Sequence, residues 1–174
     1  MKITIVAGAR PNFIKISPII NAIKTFNHRS NKINFRLVHT GQHYDKIMSS
    51  TFFEELNIPS PDTNLECNQG NSTEQTASIM ISFEKELKIY KPDIVLVVGD
   101  VNSTMACAIT AKKNGIDVGH VEAGIRSGDM KMPEEINRII TDVISDIFFT
   151  TTTEASQFLK SLFNNQNIHF EVIP

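Results

Sequence analysis

Two carboxylates fall where an apolar run gives way to a turn, and an acidic pair follows a proline shortly after. Asp100 closes "IVLVVGD" and is followed by Asn102, Ser103 and Thr104. Glu122 closes "VGHVE", with Gly124 and Arg126 just beyond. Glu134 and Glu135 follow Pro133 at the start of another segment, which also carries Arg138. Cations accompany them: Arg10 lies just after Gly8, and Lys15 one helical turn later. Separated acids and bases beside an anion site suit removal of a proton from carbon, or departure of a phosphorylated leaving group. Each residue alone also has a plainer reading. Asp100 has the right type and place to help cap a helix. Arg126 is close enough in the chain to pair with Glu122, and acids in a helix's first turn are favoured by the dipole regardless. His43, in "TGQHYD", is either a ligand contact or a solvated loop histidine.

The segments that must position these residues alternate between two patterns. Runs 2–8, 33–41, 92–100, 117–124, 147–152 and 168–174 read as strands, the third a nearly continuous Val/Ile/Leu run suited to burial on both faces. Segments 11–26, 45–58, 72–91, 102–115, 133–146 and 153–164 read as helices. Pro18 inside the first helix is expected to kink it or begin a new one. Ser72 or Thr73 is expected to cap the third, and Pro133 suits the first turn of the fifth. Residues 60–72 read as a polar loop. Alternating strands and helices imply an α/β, Rossmann-like parallel sheet with helices on both faces, whose ligands bind beyond the carboxyl ends of the strands. The chemistry-bearing residues lie at those junctions. "AGARPNFIK" is no dinucleotide fingerprint, because Arg10 stands where a glycine would let a pyrophosphate approach. A glycine turn, an arginine and a helix N-terminus still suit an anion.

With 174 residues the chain is long enough for one domain with a substantial core. Its net charge of −2 gives no basic footprint for nucleic acid. No apolar run is long enough to span a bilayer. "MKITIVAGARPN" reads as a first strand rather than a secretory signal. Cys67 and Cys107 lie far apart without metal-ligand spacing, as expected of free thiols in a reducing cytoplasm. The sequons at Asn71 and Asn102 carry little weight without a signal segment.

The chain closely resembles the N-terminal half of bacterial and archaeal UDP-N-acetylglucosamine 2-epimerases. The resemblance rests on "GARPNFIKISPII", "TGQHYD", "FFEELNIPSPDTNL", "EQTASIM", "KPDIVLVVGDVNST", "GHVEAGIRSGDMKMPEEINRIITDVISDIFF" and "TTTEAS", in that order. It implies one half of a glycosyltransferase-B-type two-domain enzyme, with residues 1–174 as the N-terminal domain and a C-terminal nucleotide-binding domain beyond the "EVIP" at which this chain stops. The family interconverts UDP-GlcNAc and UDP-ManNAc without a cofactor or metal, through UDP elimination and a 2-acetamidoglucal intermediate. Asp100, Glu122 and Glu134 match its catalytic acids. Arg10 and Lys15 match positions facing the phosphates or sugar, and Arg126 and Arg138 positions that hold the carboxylates in place. Gln42 and His43 match a segment near a second, regulatory UDP-GlcNAc site in some members, although "YD" here departs from those members. Ala9 replaces the usual threonine.

The resemblance further implies a cytoplasmic isomerase, commonly a homodimer, serving cell-surface polysaccharide synthesis. The isolated half is expected to be inactive. Two alternatives remain open: the hydrolysing relative, which releases ManNAc and UDP, and a non-catalytic nucleotide-sugar-binding module.

Overall fold

The apolar runs form one parallel sheet in a computed structural model that describes residues 1–30, 33–41, 50–163 and 169–172. In chain order the elements are β1 (Lys2–Ala7), α1 (Arg10–Ser30), β2 (Asn34–His39), α2 (Ser50–Glu55), β3 (Thr63–Asn64), α3 (Ser72–Ile89) and β4 (Ile94–Val98). They continue with α4 (Asn102–Lys113), β5 (Asp117–Val121), α5 (Pro133–Ile144), β6 (Ile147–Thr150), α6 (Thr153–Leu162) and β7 (His169–Val172). The seven strands run in the order β3-β2-β1-β4-β5-β6-β7. The order reverses between β1 and β4, which opens a crevice at their carboxyl ends.

Period-two alternation divides the core into two layers. Ile3, Ile5, Leu96 and Val98 pack with Phe13, Ile16, Ile20 and Ile23 of α1 and with Phe52 and Phe53 of α2. Val6, Val95, Val97 and Val118 pack on the other side with Ile79, Phe83 and Leu87 of α3 and Ala106, Cys107 and Ala111 of α4. Each fully buried Ile or Phe contributes about 1.5–3 kcal/mol by leaving water. That outweighs the loss of a helical hydrogen bond at Pro18, and α1 continues through it as one helix of 21 residues. A smaller cluster of Ala123, Phe148 and Leu159 seats α6.

Two local expectations are corrected. The stretch 60–72 is not all loop: Thr63 and Asn64 extend the sheet as a short edge strand opposite Val38 and His39. The cap of α3 is Asn71, not Ser72 or Thr73. Its side chain accepts the amides of Thr73 and Glu74, and the Glu74 carboxylate returns to the Asn71 amide. Asn71→Ala is therefore expected to lower unfolding free energy by about 1 kcal/mol. The measurement is a lower denaturant midpoint at unchanged slope, and an unmoved midpoint means the box contributes nothing. Part of the segment 45–58 lies outside the described residues; the described part places α2 over Ser50–Glu55.

Candidate active site at the strand switch point

The first turn of the site is built around Asn12. Its amide oxygen accepts the Gly8 and Ala9 N–H groups at 3.1 and 2.9 Å, and its amide nitrogen donates to the Val98 carbonyl at 3.3 Å. Asn12 thereby ties the β1–α1 turn to the end of β4 across the switch point. The Gly8 and Ala9 amides are thus taken by Asn12. Arg10 is exposed, its guanidinium 5.2 Å over the Phe52 ring. One turn later, Lys15 pairs with the Glu122 carboxylate.

Glu122 sits where β5 ends, at φ +68°, a left-handed conformation that costs a non-glycine residue about 1–3 kcal/mol. Backbone bonds hold it there. The amides of Glu122 and Ala123 both donate to the Phe149 carbonyl, at 2.9 and 3.1 Å, and Arg138 donates to the Glu122 carbonyl at 2.8 Å. The neighbouring turn must make room: a Cβ on Gly99 would lie 3.3 Å from a Glu122 carboxylate oxygen and 3.7 Å from Lys15 Nζ.

Asp100 follows Gly99 and pairs with Arg138, a buried residue of α5. It does not cap α4, whose first residue has no side-chain cap. Asn137 donates to the Asp100 carbonyl at 2.9 Å, a second link from α5 to this turn. Arg138 thus touches both acidic turns, Nη2 donating to the Asp100 carboxylate and Nη1 to the Glu122 carbonyl.

Arg126 does not pair with Glu122. It reaches Asp142 at 2.7 Å, its own loop at the Ile125 carbonyl, and the face of Phe158 at 4.5 Å. The two acids that open α5 also part company. Glu134 is exposed. Glu135 is buried and accepts the Ser127 and Gly128 amides at 2.9 and 3.2 Å. Burial pushes its carboxyl up, but those donors and Arg126 outweigh it and hold Glu135 below the usual carboxylate range. Glu135 therefore shapes the loop that leads to Glu134. Gln42 and His43 lie outside the described residues.

A feature with no signature in the sequence lies beneath these turns. His120 and Asp142 are fully buried and bonded to each other, and His120 also bonds the Gly99 carbonyl. A histidine flanked by Gly119 and Val121 hints at burial, but nothing in the chain marks Asp142 as its partner.

Beside the Lys15–Glu122 pair opens a cavity of about 550 Å³, walled by Pro18, Ile19 and Ala22 of α1 and by Val121 and Phe149 of the sheet. Its charged lining is Lys15 and Glu122. Among the described residues no group of three or more His, Cys, Asp or Glu is placed to hold a metal ion. Nor is any helix among them long and apolar enough to cross a membrane. The arrangement offers two carboxylates at adjacent strand ends, each held by a cation, next to an apolar-walled space. Such carboxylates can take and return protons while the cations receive negative charge.

A family model described as UDP-N-acetylglucosamine 2-epimerase matches residues 26–170. The chain belongs to that family. The epimerase of Methanocaldococcus jannaschii is 48% identical over 159 residues, covering 91% of this chain and 42% of the relative. A UDP-2,3-diacetamido-2,3-dideoxy-D-glucuronate 2-epimerase of Pseudomonas aeruginosa is 45% identical over 161 residues, covering 92% of this chain and 44% of the relative. The crystal structure of the Methanocaldococcus jannaschii UDP-GlcNAc 2-epimerase in complex with UDP-GlcNAc and UDP superposes with a TM-score of 0.90. It is 45% identical and is matched over 99% of this chain and 46% of the solved one. The chain thus spans less than half the length of these family members, and within that span carries the α/β, Rossmann-like fold.

Proposed function

We propose that this chain is the N-terminal domain of a two-domain, non-hydrolysing UDP-GlcNAc 2-epimerase of glycosyltransferase-B type. The observation that carries the reading is the pairing of Glu122 with Lys15 and of Asp100 with Arg138 on adjacent turns at the switch point. In the forward half-reaction a carboxylate takes the C2 proton of UDP-GlcNAc. The C2–H electron pair becomes the C1=C2 double bond, and the C1–O bond breaks with its electrons leaving on UDP. In the return half-reaction C2 receives a proton on its other face, and a UDP oxygen re-forms the bond to C1, giving UDP-ManNAc. Asp100, Glu122 and Glu134 share these proton transfers and face the cationic character at C1. Arg10 and Lys15 receive the charge on the phosphates. Arg138 keeps Asp100 in place, and Arg126 braces the loop between β5 and α5. The second domain supplies the uridine site and closes the cleft. The product serves cell-surface polysaccharide synthesis in the cytoplasm, and exposed Ile81 and Ile89 on α3 suit a dimer face.

The Pseudomonas aeruginosa relative supports a second reading, in which the sugar is a UDP-2,3-diacetamido-hexuronate. The test is proton NMR in heavy water with each nucleotide sugar. We expect the two-domain protein to place deuterium at C2 of UDP-GlcNAc and to form UDP-ManNAc, and this chain alone to form neither. Exchange confined to the diacetamido-hexuronate selects the second reading. Free ManNAc with UDP puts the protein on the hydrolysing branch, and no exchange with either sugar overturns both readings.

A further inference from the structure

His120 lies in the middle of the sheet with none of its surface exposed. Its Nε2 is 2.8 Å from the Gly99 carbonyl oxygen and its Nδ1 is 2.6 Å from Asp142 Oδ1. A carbonyl oxygen only accepts, so Nε2 carries a hydrogen. Asp142, itself fully buried, gathers two further donors on its other oxygen: the Gly124 amide at 3.1 Å and Arg126 Nη2 at 2.7 Å. Burial pushes the Asp142 carboxyl up, but the bonded His120 first, and then Arg126, outweigh it and hold it below the usual range. A carboxylate facing Nδ1 requires a hydrogen there too. Both ring nitrogens then donate, and the ring is an imidazolium.

The remaining neighbours leave that charge in place. Asp142 is the ionisable partner from α5, and Arg126 joins it from the loop after β5. On the buried face of α4 the titratable side chain is Cys107, whose thiol burial pushes well up and keeps neutral. Lys112 of α4 is taken by Asp146.

We infer that His120 is a positioning residue, held as an imidazolium, that clamps the Gly99–Asp100 turn to Asp142 and so sets Asp100 in register with the Glu122–Gly124 turn. Orientation of the Gly99 carbonyl fixes the peptide plane leading into Asp100, and with it the direction of the Asp100 side chain. Asp142 fixes the other turn through the Gly124 amide. Gly124 itself is at φ +80°, where a Cβ would lie 2.7 Å from the Ala155 carbonyl oxygen, so this backbone has little room to adjust. One buried proton arrangement thereby spans the two acids. The inference rests on the reading of Asp100 and Glu122 as reacting carboxylates.

Three variants of the full-length protein test it. His120→Gln can place an amide donor near the position of Nε2 and keep the bond to Gly99. His120→Asn can place one near Nδ1 and keep only the bond to Asp142. We expect His120→Asn to lower kcat about a hundredfold with KM changed less than about threefold, and His120→Gln to retain several times more kcat than His120→Asn. Equal losses in the two variants, or losses confined to KM, overturn the inference. Asp142→Asn removes the charge that holds the second proton. An amide facing Nδ1 can accept from the ring or donate to it, so a hydrogen is no longer required there, and a ring with one hydrogen donates from one nitrogen only. The kcat of this variant is therefore expected to fall with KM little changed. Unchanged kcat counts against the clamp. Where Asp142→Asn does not fold, the histidine pair decides the matter.

Nitrogen-15 NMR of the imidazole ring separates this inference from the proposed reaction. In the unaltered protein both ring nitrogens of His120 are expected to carry a hydrogen at neutral pH. A ring with one bare nitrogen there overturns the clamp even if C2 exchange is normal. A doubly protonated ring without C2 exchange instead sinks the reaction and leaves the protonated bridge standing.

Discussion

Glu122→Gln is expected to cut turnover of the two-domain enzyme at least about a hundredfold with the fold unchanged, the usual loss when a general acid or base is removed. Glutamine keeps the size of the side chain and an oxygen for Lys15, but it cannot hold or return a proton. The turn itself does not depend on the carboxylate. Glu122 is kept at its left-handed φ by the Phe149 carbonyl, which receives two amides, and by Arg138 on the Glu122 carbonyl. Those contacts survive the substitution, so circular dichroism and the denaturant midpoint should match those of the unaltered protein. The site also loses an anion beside Lys15, which leaves that ammonium free to face substrate phosphate. KM is therefore expected to stay level or fall while kcat drops. Turnover near normal, measured by deuterium entry at C2, would remove Glu122 from the proton transfers. A lost fold would instead mean that the Lys15 pair holds β5 to α1.

Much of this architecture can be read from local pattern. The buried run Ile94–Val98 and the helix-period residues of α1 announce their partners by hydrophobic period alone. The strand-end position of Asp100 and Glu122 follows from the same pattern, because a parallel sheet brings its carboxyl ends together. The short strand Thr63–Asn64 has no such pattern; it exists because the outer edge of β2 offers backbone groups that need partners. The capping box at Asn71 was in principle readable, since Glu74 stands three residues on and selects among three adjacent cap formers. Arg126 is a different case. Chain proximity points it at Glu122, but the turn at Glu122 sends that carboxylate to Lys15, 107 residues away in the chain, and leaves Arg126 for Asp142. Partners that arrive from another element have no local signal. The same holds for His120 and Asp142, which meet only after β5 and α5 have packed.

Arg138→Met is expected to be the more damaging of the two substitutions, because Arg138 serves both acidic turns at once. Its side chain is 7% exposed, and it joins α5 to the Asp100 carboxylate and to the Glu122 carbonyl. Methionine fills a similar volume and preserves the packing, so the loss is electrostatic and directional. A charged hydrogen bond of this kind contributes about 1.5–3 kcal/mol, and stability is expected to fall within that range; the Asp100 side chain, 30% exposed, turns to water and limits the damage. The effect on catalysis is larger. Asp100 loses the cation that aims it, and the Glu122 turn loses one of the contacts that hold its unfavourable φ, so two reacting groups drift together. Displacements of this kind cost about a hundredfold or more in turnover. Arg138→Lys separates charge from geometry. An ammonium can reach one turn but cannot span both as the planar fork does. Lysine is therefore expected to recover most of the stability and little of the turnover. If lysine restores both, Arg138 acts as a simple counter-charge to Asp100. If methionine leaves turnover near normal while lowering the denaturant midpoint, the bridge to Asp100 and Glu122 is structural, and the aim of the two carboxylates is set elsewhere.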